Sequence, residues 1–370
     1  MTSGPAQRRV LSAAAFLMLL IAAFATRNPL LLLAYTIVAL YVVLSRINEF
    51  RTLKPRERAA VALLVLGLTI MLPIAVARNE RAMIHYFIVL VSLAAAFLQT
   101  RNIEVYLSAS RLALGAALSA VFIYLLFRGL DDFPLEDMLA DSSSNGITSY
   151  LIVLQANYCI VRYIITRRPS IITPLLTLLI CIVGYGRGSL LASAAIILVN
   201  LLLHFSPRRP LYALAALLLT AAAALVLYQR YAEDVVFFVE ANTKIGSGLY
   251  DQPRDQQINE YLGRIDAVTL ISGADYRGTS IEVDYNNNPH NSYIRAHHVF
   301  GLPYLLLMLL FPLLFVSRRL SPGQRVYTLA MLLIVLFRAF TEPILFPTMF
   351  DFFFFAACFA LQRPGAARRR

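Results

Sequence analysis

The chain has 370 residues, 59% of them hydrophobic and only 15% charged, with a mean hydropathy of +0.67. That balance excludes a soluble domain of this length. The net charge of +12 does not point to nucleic acid, because the arginines sit in short clusters between apolar runs, where the cytoplasmic bias of cationic loops accounts for them.

Long unbroken runs such as LLLLAYTIVALYVVL at 30–44 indicate helices, since the strands of a membrane barrel alternate apolar and polar residues. An all-α polytopic membrane protein is therefore expected. In chain order, the first run follows Arg8 and Arg9 and ends near AFA at 23–25, features shared with a signal peptide. The next run starts almost at once, at Pro29, so an uncleaved first helix is expected. The predicted spans are 10–26, 29–45, 59–77, 84–100, 107–127, 147–165, 171–186, 188–205, 210–228, 298–316, 326–344 and 347–362.

An N-terminus in the cytoplasm places all the strongly basic short loops on one face. These are Arg46, Arg51, Lys54, Arg56 and Arg58; Arg162, Arg167 and Arg168; Arg208 and Arg209; Arg318, Arg319 and Arg325; and Arg368 to Arg370. Both termini are then cytoplasmic. The opposite loops include 128–146, with Asp131, Asp132, Glu136, Asp137 and Asp141, and the long hydrophilic segment 229–297. Within that segment YAEDVVFFVEA and DQQINEYLGRIDAVTLI have helix-compatible apolar spacing, so a small extracytoplasmic cap resting on the membrane is expected. The whole chain, 1–370, reads as one integral membrane domain with 229–297 as its large loop, and no internal repeat is evident. Cys159, Cys181 and Cys358 fall within spans and read as packing residues.

Three polar sites on the predicted outer face call for an explanation. Arg187, in GYGRGSLL, sits in a tight turn between Gly186 and Gly188, against the positive-inside bias. An arginine reaching lipid phosphates is the alternative there. Arg264, in YLGRIDAV, shares its loop with Arg254, Arg277 and Arg295, any of which is compatible with plain solvation. His290 follows Asn288 and Pro289, an N-cap and first-turn pair, so the last long helix is expected to start there. At about 100° per residue, His297, Gly301 and Tyr304 fall near the face of His290. A first-turn histidine feels the positive helix end, which favours the neutral, proton-accepting imidazole. A surface histidine capped by its neighbours is the bland alternative. Arg338 and Glu342 have the spacing of a helix ion pair, and Asp351 has no partner in the sequence pattern.

The stretch HNSYIRAHHVFGLPY, with His290, Asn291, Gly301 and Tyr304, resembles the signature of the bacterial O-antigen ligase and O-antigen polymerase superfamily. The resemblance extends to Arg187 after the seventh span and to the Gly-Arg at Arg264, and covers roughly 145–345; the first six spans match in hydropathy alone. It departs from many ligases in lacking tryptophan after the loop arginine, where this chain has Val268.

The resemblance implies a GT-C-like bundle of about twelve helices in the bacterial inner membrane, its active site facing the periplasm. It implies an inverting transfer of a glycan from undecaprenyl pyrophosphate to a sugar hydroxyl, on lipid A-core for a ligase or on another lipid-linked glycan for a polymerase. Arg187 and Arg264 would hold the pyrophosphate through paired guanidinium donors. His290 would be the general base, Asn291, His297 and Tyr304 would help bind substrate, and Gly301 would serve packing. No cofactor is expected. Nor is a metal, since the arginines supply positive charge, the first outer turn, Thr26-Arg27-Asn28, has no acid, and His290, His297 and His298 lack a suitably spaced carboxylate for zinc. A glycolipid transporter is the non-enzymatic alternative, which predicts polar residues spread through the spans.

Overall fold

The computed structural model describes residues 4–130, 134–139, 142–205, 252–315 and 320–362. Among them every regular element is helical. The first eight helices are α1 (Pro5–Thr26), α2 (Pro29–Ser45), α3 (Pro55–Arg78), α4 (Ala82–Gln99), α5 (Ile103–Arg128), α6 (Ser144–Thr166), α7 (Ile172–Val183) and α8 (Arg187–Phe205). Three short ones follow, α9 (Gln252–Leu262), α10 (Ala267–Ser272) and α11 (Ser280–Val283), and then α12 (Ser292–Phe315), α13 (Pro322–Thr341) and α14 (Asp351–Leu361). The predicted span 210–228, the segment YAEDVVFFVEA, Asp131, Asp132, Asp141 and the arginines at 208, 209, 318, 319 and 368–370 lie outside the described residues.

Local chemistry sets several of these boundaries. Asn28 accepts from the amides of Leu30 and Leu31 ahead of Pro29, and Ser321 and Gln324 form a capping box around Pro322. Among the described residues seven helices are long and apolar enough to cross a membrane: α1, α3, α4, α5, α8, α12 and α13. Wide apolar faces stay open on α2 (Leu30, Leu33, Ile37, Leu44) and α3 (Leu63, Leu66, Ile70), as a hydrocarbon solvent requires.

The remaining predicted spans depart from the pattern for two reasons. At a rise of 1.5 Å per residue, the 12 residues of α7 and the 11 of α14 cover less than about 20 Å of a hydrocarbon core of about 30 Å. The 23-residue α6 is long enough, but it is enclosed by protein nearly from end to end, as α14 is at every position. These two form the centre: α14 packs on α4 and α6, and α6 on α5, α7, α8 and α13. An enclosed helix is free to carry Gln155 and Asn157, which a lipid-facing helix is not.

Loops gather alternately at two ends. At one, Lys54 reaches the Gln362 carbonyl, Gln362 the Phe315 carbonyl and Gln324 the Ile164 carbonyl. The basic segments around Arg46–Arg58 and Arg162–Arg168 lie here. At the other end sits the cap. Its predicted helical stretch at 255–271 is two helices, because the chain turns at Gly263 and restarts at Asp266, whose carboxylate caps the Val268 and Thr269 amides of α10. The cap has its own small core of Tyr261, Ala274, Tyr276 and Ile281 against Ile294 of α12.

Candidate functional site

A cavity of about 1090 Å³ opens at the cap end. Its wall is assembled from separate turns: Arg27 between α1 and α2, Arg78 and Arg81 between α3 and α4, Ser142 and Tyr150 around the start of α6, Asp275 to His290 in the cap, and Glu342 to Ile344 after α13. Arg295, His298 and Val299 of α12 and His85 of α4 complete it. The guanidiniums of Arg78 and Arg295 donate to backbone carbonyls, of Ser272 and Gly273 and of Pro343 respectively. They thus keep their positive charge. The carboxylates are mostly committed: Asp275 to Arg277 at 3.2 Å, Glu282 to the Gly278 amide, and Glu342 to Arg254 and Arg338 at 3.4 and 3.5 Å. Such a wall suits an anionic ligand.

The entry into α12 differs from the sequence expectation. Asn291, not Asn288, is the N-cap: its Oδ1 accepts from the amides of Tyr293 and Ile294. His290 precedes the helix in the left-handed region, φ 46°, with its ring edge-on to Tyr285. The single stripe of His290, His297, Gly301 and Tyr304 does not form, because Gly301 interrupts the helix at φ 72°. Only glycine fits there, since a Cβ would collide with the Ile271 carbonyl of α10. Tyr304, beyond the break, is fully buried beside Phe300 and away from the cavity.

His297 and His298 support the end of α10. A carbonyl only accepts, so His297 Nε2 donates to Leu270 O at 2.7 Å, and its Nδ1 receives the Tyr261 hydroxyl at 2.7 Å. Tyr261 in turn accepts the Ala274 amide. Burial pushes the Tyr261 hydroxyl's pKa up, so it stays protonated and keeps donating. Both ring nitrogens of His297 are thus engaged in structure, and it is His298 that lines the cavity. His298 Nδ1 donates to Ala274 O at 2.7 Å, and its ring stacks on Tyr276 at 3.7 Å.

The other two predicted site residues do not line the cavity. Arg187 begins α8, half-buried, next to Gly188, which abuts Arg338 and Thr341. Arg264 is exposed on the turn after α9, beside Gly278. The structure therefore brings His290 together with Arg27, Arg81 and Arg295, and leaves Arg187 and Arg264 apart from it. The Arg338–Glu342 pair forms as its spacing suggests, with Arg338 enclosed by protein and Glu342 at the cavity wall, and with a further bond from Arg338 to the Asn145 carbonyl. Asp351 gains partners invisible in the sequence, accepting the amides of Phe346 and Thr348. Among the described residues no group of three His, Cys, Asp or Glu is placed to hold a metal ion.

Sequence reasoning passed over Arg27, Arg78, Arg81 and His85. The signal that singled out Arg187, an arginine in an outer turn against the positive-inside bias, applies equally to the first three. For His85, inside an apolar helix, a lone polar residue was the available clue. Comparison with protein-family models, with curated proteins and with solved structures finds no match for this chain.

Proposed function

We propose that this is a membrane glycosyltransferase of the O-antigen ligase type, acting at the cap-end cavity on a glycan carried by undecaprenyl pyrophosphate. The observation that carries the reading is the cavity itself, where arginines from three separate turns and a helix surround a space large enough for a diphosphate and a sugar. A shallower cleft of about 590 Å³ adjoins it, with Pro73, Ile74 and Ala77 of α3 on one side and Asp275 and Arg277 of the cap on the other. Apolar residues meeting charged ones in this way suit a lipid whose tail stays in the bilayer while its headgroup turns inward.

In this reading the bundle has twelve spans in a GT-C-like arrangement in the bacterial inner membrane, with the cavity on the periplasmic face. The donor's phosphates lie against Arg27, Arg81 and Arg295, and the developing charge on the diphosphate is stabilised by these guanidiniums. Arg187 and Arg264 remain the residues that the sequence resemblance assigns to the pyrophosphate. An imidazole on the wall, His290 of the motif or His298, takes the acceptor's proton. The acceptor oxygen displaces the diphosphate directly, with inversion at the anomeric carbon and no covalent enzyme intermediate. The arrangement is as compatible with a polymerase, which shares donor and leaving group.

The test is the glycolipid profile of a strain lacking the gene. Polymer accumulating on its lipid carrier with no capped lipopolysaccharide supports the ligase, and a cap of one repeat supports the polymerase. An unchanged profile, together with no transfer by purified protein from lipid-linked donor to lipid A-core, overturns the reading.

A further inference from the structure

We infer that α10 is the part of the cap that enters the membrane, with its Val268 and Ile271 face against lipid acyl chains in the leaflet at the cap end. The sequence suggests only a cap resting on the membrane; the packing names the element and its depth. Val268 and Ile271, one turn apart, share a face of α10 and are 72% and 56% exposed. Leu270 between them and Leu262 at the end of α9 are open as well. None of the four joins the cap's own core of Tyr261, Ala274, Tyr276 and Ile281. Such a cluster of open, large apolar side chains is costly in water and marks a surface that something apolar covers.

Three observations point to lipid as the covering. The first is continuity: α10 packs on α3 and α12, whose own apolar faces stay open at Ile70 and Ile74 and at Leu306 and Leu310. The patch thus extends a surface already turned to hydrocarbon. The second is depth. Arg78, the last residue of α3, donates to the Ser272 and Gly273 carbonyls, which sets the end of α10 level with the last turn of a helix long and apolar enough to span. Ile74 lies one turn, about 6 Å, further in. On the other side the Ile271 carbonyl abuts Gly301, well inside α12 and not at its start. Helices seated at a membrane interface reach about 5–10 Å into it, the same range. The third is that α10 needs no water at its ends. The Leu270 and Ala274 carbonyls accept from His297 and His298, both at 2.7 Å, Arg78 serves the two carbonyls between Ile271 and Ala274, and Asp266 caps the Val268 and Thr269 amides. Water serves such groups on a solvated turn, whereas beside hydrocarbon each requires a protein partner. The chain leaving α10 reaches Asp275 on the wall of the cleft between α3 and the cap, so the seat of α10 in lipid sets the level at which that cleft opens.

The chain contains no tryptophan, so a single introduced one reports from its own position. Val268→Trp, with the exposed polar position Asp284→Trp as reference, is reconstituted as the full chain in vesicles of phosphatidylethanolamine and phosphatidylglycerol, with and without bromine on the acyl chains. Val268→Trp should emit to the blue of Asp284→Trp, lose most of its emission to the brominated lipid and be shielded from aqueous iodide. Should Val268→Trp fail to fold, Leu262→Trp gives the same readout. Quenching by brominated lipid no greater than that of Asp284→Trp overturns the inference. It does not rest on the transferase reading, which neither result alters.

Discussion

Two polar regions of the bundle use the same kinds of residue differently. Away from the cap, Gln155 bonds Thr173 and Thr177, Asn200 bonds the Ile196 carbonyl, and Tyr327 donates to Asn200 at 2.9 Å. This set is neutral, buried and closed on itself, joining α6, α7, α8 and α13. At the cap end the polar groups are charged, drawn from six or more separate segments, and arranged around open space. A closed neutral network supplies helix adhesion in an apolar surrounding, whereas charges held apart around a cavity retain free energy for a ligand. The location of polarity in this chain is thus less informative than whether it is satisfied.

Removing a charge from an enclosed pair should have the largest effect. Arg338→Ala leaves Glu342 in a protein interior with Arg254 at its half-exposed edge, and also strips the Asn145 carbonyl of a donor. A loss of about 3–5 kcal/mol is expected, seen as a fall in detergent-solubilised thermal stability and in yield. Next, Arg295→Ala should lower transfer by about 10²–10³ if the cavity arginines carry developing charge, with Arg295→Lys intermediate. A rate equal to that of the parent would remove Arg295 from the reaction. The neutral network should respond in the opposite way. Asn200→Ala orphans the Tyr327 hydroxyl and the Ser170 amide, a cost of about 1–3 kcal/mol in stability, while kcat stays as it was. A variant that keeps its stability but loses turnover would erase the distinction between the two regions.

Hydropathy was legible because it follows from the solvent: α2 occupies the predicted 29–45 residue for residue. Burial by protein was not legible in the same way. α6 and α14 read as ordinary spans, although both are enclosed by their neighbours and the helix of α14 has only 11 residues, because apolar composition alone does not distinguish lipid from protein as surroundings. In the site, the signature segment lines the cavity at His290, while Gly301 and Tyr304 lie away from it. The periodicity argument assumed an unbroken helix, and Gly301 breaks it to admit the Ile271 carbonyl, a contact between segments thirty residues apart. Arg27 and Arg81 come from turns and Arg295 from α12, all distant in sequence, and only the packing of α1, α3 and α12 brings them to one wall.

The smallest expected effect sharpens the comparison without touching the cavity. Glu260 in the cap accepts Gln256 Nε2, the Ser280 amide and the Ser280 hydroxyl at 2.7, 2.7 and 2.8 Å, fastening α9 to α11. These bonds, that from Gln256 foremost, hold its carboxyl below the usual glutamate pKa. A depressed folded-state pKa means the unfolded cap binds the proton more readily. The fastening is therefore complete above the ordinary glutamate value of about 4.3 and is lost as pH falls through that value toward the folded one. Hydrogen exchange at the Ser280 amide, corrected for its intrinsic rate, should lose protection across that acid range, and Glu260→Gln should remove the dependence. The Asn200–Tyr327 network has no carboxylate, so amides beside it, such as that of Ser170, should keep their protection over the same range. Equal losses at both places would mean that acid loosens the whole bundle, and that the cap is not held by this carboxylate.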